Sequence, residues 1–209
     1  MTRLGSSLLL VAFALLRIEA QTPATGTGTV LFEGARLIAG DGRPAVENSA
    51  FLVEGSRITQ VGTRGSVRRP AGATVVDLQG KTVIPALVDA HSHLGYTDAR
   101  TGDTSSTHYT RDNLLDHLRR YAYYGIAATL SMGLDRGELP YELRAGPMDG
   151  AALFLTAGRG IAMPNAGPNA LYWRDAPYGV TTETEARRAV NELVAKKVDI
   201  VKIWVDDRH

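Results

Sequence analysis

His91 and His93 stand one residue apart at the end of Val83-Ile84-Pro85-Ala86-Leu87-Val88-Asp89-Ala90-His91-Ser92-His93. In a strand, side chains alternate faces, so both imidazoles project the same way. Two imidazoles one pleat apart can reach a single divalent cation. The pair closes an apolar run, which puts it at the carboxyl end of a buried strand, where parallel α/β folds carry their chemistry. A bare His-x-His equally suits two ordinary histidines, one held by a backbone carbonyl. Lys202 is the second feature, set in the apolar run Asp199-Ile200-Val201-Lys202-Ile203-Trp204-Val205. Ile200, Lys202 and Trp204 share one strand face; Val201, Ile203 and Val205 share the other, which suits packing against helices. Lys202 therefore faces the interior, and a buried ammonium must be paired, neutralised or modified. The plain alternative is an ion pair with a carboxylate, for instance Asp89, which strand alternation puts on the face of His91. His108 falls in a loop, either touching substrate or simply on the surface. His117 falls on a helix and reads as solvent-facing, and His209 is terminal and carries no role.

These residues need elements to position them. Val30 to about Val76 reads as short strands broken by turns at Gly40-Asp41-Gly42 and Glu54-Gly55-Ser56. After Lys81 the pattern becomes strand, helix, strand, helix. A polar loop over 94–112 follows the first strand. Leu114, Leu115, Leu118 and either Tyr121 or Ala122 then share a helix face, and Gly125 ends that helix. Strands follow at Ile126–Ser131 and Ala151–Ala157, with a short helix over Glu138–Ala145 between them; Pro140 fits only its first turn. A Gly/Pro/Asn-rich loop runs from Gly158 to Val180, long enough to be functional or mobile. Thr182 and Glu185 form a capping box for a helix reaching about Lys197. The run from Asp199 to Val205 is the fourth strand. Strands alternating with helices make a parallel sheet, either open and doubly wound or closed as a (β/α)8 barrel. The first strand lacks a glycine-rich phosphate loop and ends in histidines, which favours the barrel.

The formal net charge is +1, which gives no electrostatic case for a nucleic-acid partner. Cysteine is absent, which excludes disulfides and thiolate metal sites. Residues 1–20 read as a signal peptide: Arg3, then an apolar run from Leu8 to Leu16 too short to span a bilayer stably. Export to a periplasm or to the outside follows. Residues 21–29 read as a linker, 30–80 as part of a β-sandwich and 81–209 as the first half of a barrel.

The run from Val75 through Asp77-Leu78-Gln79-Gly80-Lys81 and Val83–His93 to Leu94 resembles the first-strand signature of the amidohydrolase superfamily. Gly40-Asp41-Gly42-Arg43-Pro44 and Val53 to Gly62 resemble the β-sandwich entry of those enzymes. Val198 to Asp207 is similar to the fourth strand of the branch containing imidazolonepropionase and the Xaa-Pro dipeptidases. The resemblance covers nearly everything after residue 30, with Ala86 where the family usually has glycine. It implies a metal-dependent hydrolase of C–N bonds in an amide, peptide or cyclic amide, with attack by metal-activated hydroxide. His91 and His93 would bind one metal, and a carboxylated Lys202 would bridge two. One or two zinc ions are expected; iron and manganese accept the same ligands. The partner is a small-molecule or peptide substrate, and oligomerisation stays open. The family's later histidines and its general-base aspartate have no counterpart here, so these residues alone are expected to be inactive. Two alternatives remain: a mononuclear imidazolonepropionase-like hydrolase without a carboxylated lysine, and a non-catalytic metal-binding or interaction protein on the same scaffold.

Overall fold

The computed structural model describes residues 28–146 and 148–205. The expected signal peptide, most of the linker, and His209 lie outside the described residues.

The N-terminal strands are β1 (Thr29–Glu33), β2 (Arg36–Leu37), β3 (Ser49–Glu54), β4 (Arg57–Thr63) and β5 (Thr74–Asp77). Four of them form one sheet in the order β4-β3-β1-β5; β1 pairs antiparallel with β3 and parallel with β5. Leu31, Ala50, Leu52 and Val67 close one face, and Phe32 stacks on Phe51 on the other at 4.9 Å. Strand β2 pairs with β6 (Thr82–Val83) in a separate two-stranded sheet. The described residues of this region thus form one large sheet and a ribbon.

The long first strand expected from Val83 is interrupted. Pro85 offers no N–H to a ladder, so Thr82 and Val83 belong to the ribbon and β7 covers only Leu87–Ser92. Strands β7, β8 (Ile126–Ser131) and β9 (Leu153–Thr156) form a parallel sheet in that order. Helix α1 (Arg111–Tyr123) crosses from β7 to β8, and α2 (Leu139–Ala145) from β8 to β9. Thr110 caps α1 by accepting from the Asn113 amide, and Leu114 and Leu118, four apart, are its buried face. With Leu94, Leu143, Ala152 and Phe154 they form the core between helices and sheet.

The loop over 158–180 is more structured than its composition suggests. It holds β10 (Ile161–Ala162), a 3-10 turn at Leu171–Trp173 and β11 (Tyr178–Gly179), with β10 and β11 paired in parallel. Helix α3 (Glu183–Ala195) then starts at the expected capping box, with Thr182 and Glu185 satisfying each other's amides. Ala189 and Leu193 are its buried face.

The fourth strand expected over Asp199–Val205 does not form a ladder. Its Asp199 carboxylate accepts from the Thr156 amide at 2.8 Å, taking a donor that a neighbouring strand's carbonyl would use. The chain then turns away at Gly158, and pairing resumes only as one parallel bridge between Ile161 and Ile203. No described helix is long and apolar enough to cross a membrane.

Candidate metal centre

Histidines 91 and 93 owe their placement to a break in strand alternation. The register pairs Asp89 with Thr129 and Ser92 with Ser131, with an irregularity between them. Two residues instead of one thus separate two positions on one face, and that face is turned towards the helices. Asp89 accepts from the Tyr121 hydroxyl of α1 at 2.9 Å, and Ser92 shares a 2.7 Å hydrogen bond with Thr129. Asp89 therefore does not share the face of His91, as simple alternation predicted, and does not pair with Lys202. A bulge re-aims side chains in this way.

His91 and His93 turn to the opposite, inner side, their rings 5.2 Å apart and edge to face. His91, within β7, is exposed; His93, just past its end, is half-buried. Burial, with the neighbouring charges of His91 and Lys202, lowers the His93 pKa from 6.5 to about 4. His93 is consequently a neutral imidazole at neutral pH, the form that offers a lone pair.

Lys202 is only half-buried, less than its place in an apolar run implied. Its ammonium lies 4.9 Å from the Trp204 ring centre, within cation–π range. Two glycines let this segment approach the strand ends. A Cβ on Gly133, whose φ is +90°, would lie 2.7 Å from Lys202 Cγ, and one on Gly160 would lie 2.0 Å from Trp204 Cζ3. The Ile161 amide donates to the Lys202 carbonyl, and the Trp204 amide to the Ile161 carbonyl, both at 2.9 Å. The structure thus brings His91, His93 and Lys202 to one end of the sheet.

The remaining histidines are elsewhere. His108 pairs with Asp103 at 2.7 Å and lines a cleft with Asp98, Asn113 and Asp116 that neither His91 nor His93 lines. His117 is not solvent-facing: it accepts from the Gly95 amide through Nδ1 and donates from Nε2 to the Thr97 carbonyl. Both nitrogens tie the first loop to α1, a structural role.

Sequence reasoning missed Asp135, which is 1% exposed just beyond β8. It accepts from Ser131 at 2.8 Å, from Tyr109 at 3.0 Å, and from Thr156. Burial raises its pKa to about 6 against these hydrogen bonds. The available signal was an acidic residue four places past a strand's carboxyl end. Arg136 and Arg159 also went unnoticed. Arg136 grips Asp175 with two nitrogens and donates to the Tyr172 carbonyl, and Arg159 donates to those of Ala176 and Pro177. They pin the 158–180 loop so that Trp173 lies 5.5 Å from His93.

Among the described residues no group of three or more His, Cys, Asp or Glu is arranged to hold a metal ion. The donors at this end are two imidazoles and a lysine amine. A neutral, half-buried imidazole with a second ring beside it fits a divalent cation, with Lys202 completing the set only as an anion.

No family model matches the chain. Imidazolonepropionase from Paenarthrobacter aurescens (strain TC1) is 29% identical over 156 residues, covering 75% of this chain and 32% of that protein. A Xaa-Pro dipeptidase with methionine bound in its active site superposes with a TM-score of 0.67 at 21% identity, covering 84% of this chain and 47% of the other. An amidohydrolase structure superposes with a TM-score of 0.67 at 20% identity over 84% and 46%. The chain spans about a third of the length of the imidazolonepropionase it matches. With a histidine pair at the carboxyl end of a parallel strand, the chain is similar in sequence to an imidazolonepropionase and in fold to enzymes of the amidohydrolase superfamily.

Proposed function

We propose that this chain contributes the first part of the metal centre of a hydrolase acting on C–N bonds of amides, peptides or cyclic amides. The observation that carries the reading is the His91–His93 pair, 5.2 Å apart, beside Lys202 and with His93 neutral. The two imidazoles would hold a divalent cation, zinc in the first instance. When bound, such an ion supplies Lewis acidity toward a carbonyl oxygen and lowers the pKa of a water. The chain's own residues do the rest. His93 presents a lone pair because burial keeps it unprotonated. The Lys202 ammonium gives up one proton to become an amine, which would attack carbon dioxide, form an N–C bond and release a second proton to solvent, so that a cation becomes an anionic carbamate. Trp173 and Trp204 wall the site and restrict water. The described carboxylate next to the pair, Asp89, is held on the helix side, accepting from the His91 amide at 3.0 Å and from the Tyr121 hydroxyl at 2.9 Å.

The scaffold is read as a section of a (β/α)8 barrel with a β-sandwich sheet in front of it, and the apolar run from Leu8 to Leu16 as an export signal. The likenesses to an imidazolonepropionase and a Xaa-Pro dipeptidase support a C–N substrate. A second reading, a mononuclear site without carbamate, rests on the contact between Lys202 and Trp204, which suits a free ammonium. Zinc retention with and without 13C-bicarbonate separates the two. The carbamate reading expects bicarbonate to strengthen retention and a carbamate carbon signal that Lys202→Ala abolishes. Retention indifferent to bicarbonate, with no such signal, would leave the mononuclear site.

A further inference from the structure

Among the described residues, two buried side-chain nitrogens have no hydrogen-bond partner: Nδ1 of His93 and Nε1 of Trp173. They belong to rings whose centres are 5.5 Å apart, tilted by 48°. A buried donor without a partner costs about 1–3 kcal/mol, so two neighbouring ones call for a common explanation.

Trp173 has little freedom to relieve this. Its amide donates to the Ala170 carbonyl at 3.0 Å, and its own carbonyl accepts from the Ala176 amide at 2.9 Å. Its ring packs edge-on against Tyr96 at 6.0 Å and Tyr172 at 5.1 Å. Arg136 fastens the preceding carbonyl at Tyr172, and Arg159 the segment just after it. The indole is held in place with its N–H buried beside His93.

An indole N–H can only donate, whereas an imidazole nitrogen donates or accepts according to the tautomer. A direct bond from Trp173 to Nδ1 would put the His93 proton on Nε2, and that ring could not then offer Nε2 to a cation. If Nδ1 carries the proton, both nitrogens are donors and one oxygen can satisfy them together. Histidines that ligate metals almost always donate their other N–H in this way.

We propose that Trp173 is a positioning residue for His93, acting through one buried water oxygen that accepts from both Nε1–H of Trp173 and Nδ1–H of His93. This arrangement fixes the His93 tautomer and leaves the Nε2 lone pair for the cation. The inference rests on the metal-centre reading of His93, but its first test needs no metal.

That test is long-range 15N–1H NMR of the full chain at neutral pH, without metal or substrate, which reports the protonated nitrogen of each histidine. The expected result is His93 in the Nδ1–H tautomer, with an exchange-protected Trp173 indole proton. A wild-type His93 protonated on Nε2 would overturn the proposal, and an Nδ1–H tautomer appearing only after an amide is added would replace the water with a ligand oxygen and overturn it too. Trp173→Phe keeps a ring and removes the donor. It should shift His93 toward Nε2–H and weaken zinc binding about 10-fold or more; an unchanged tautomer in a folded variant would contradict the positioning role. Zinc affinity of the wild type and of His91→Ala/His93→Ala is measured alongside. Zinc affinity equal in these two proteins would remove the metal-centre reading while leaving the tautomer result to stand or fall separately.

Discussion

At the residue scale, charge state decides what each group can do. Asp135 is buried among three hydroxyl donors, and its pKa rises from 3.8 to about 6. The folded chain therefore holds this proton more tightly than the unfolded chain does, and the group's contribution to stability declines as pH rises from about 4 to 6. His93 has the opposite effect. Its pKa falls from 6.5 to about 4, so the unfolded chain binds the proton more tightly and stability increases with pH over the same window. The two slopes oppose each other in the wild type. Asp135→Asn removes one of them, and its urea midpoint, measured from pH 4 to 7 without metal, should rise with pH more steeply than that of the wild type. A variant curve parallel to the wild-type curve would show that Asp135 does not titrate in this range. The histidine pair and Lys202 were legible in the sequence because their types and spacing are unusual within apolar runs. Asp135 was not, since its importance comes from Ser131, Tyr109 and Thr156, which only the fold assembles around it.

At the element scale, local chemistry written into the sequence survived well. The capping box at Thr182 and Glu185 and the Leu114/Leu118 stripe of α1 lie where periodicity put them, and β8 spans the expected residues. Thr182→Ala should cost about 1 kcal/mol of stability, read as a lower denaturation midpoint, because the Glu185 amide loses its acceptor. The failures came where tertiary contact overrides pattern. Period-two alternation put Asp89 on the face of His91, and a bulge set by pairing with β8 moved it to the helix side. The fourth strand had the right composition, but the Asp199 side chain and the turn at Gly158 break its ladder. Close approach at Gly160 was equally invisible, since it depends on Trp204 arriving from 44 residues further on. Gly160→Ala should destabilise by roughly 1–3 kcal/mol and alter Trp204 fluorescence; a variant with wild-type stability and emission would mean that Trp204 does not pack there.

At the scale of the whole molecule, among the described residues helices cover the parallel sheet on one side only. Leu87, Val88 and Leu153, on or beside the inner face, are 53%, 63% and 45% exposed, and Ile58 and Val61 on the N-terminal sheet are 63% and 56% exposed. Strands of parallel sheets are ordinarily buried on both faces, and apolar surface of this kind favours association. The chain should therefore elute from size-exclusion chromatography as a concentration-dependent assembly, and Val88→Thr with Leu153→Gln should shift it toward monomer. The central claim is that His91 and His93 share one cation at the end of β7. X-ray absorption at the zinc edge, on the chain loaded with one equivalent of zinc, counts imidazole ligands directly. The account predicts the scattering of two imidazoles on the bound zinc, lost together with tight retention in His91→Ala/His93→Ala. A zinc spectrum without paired imidazoles, or one unchanged in that double variant, would contradict it.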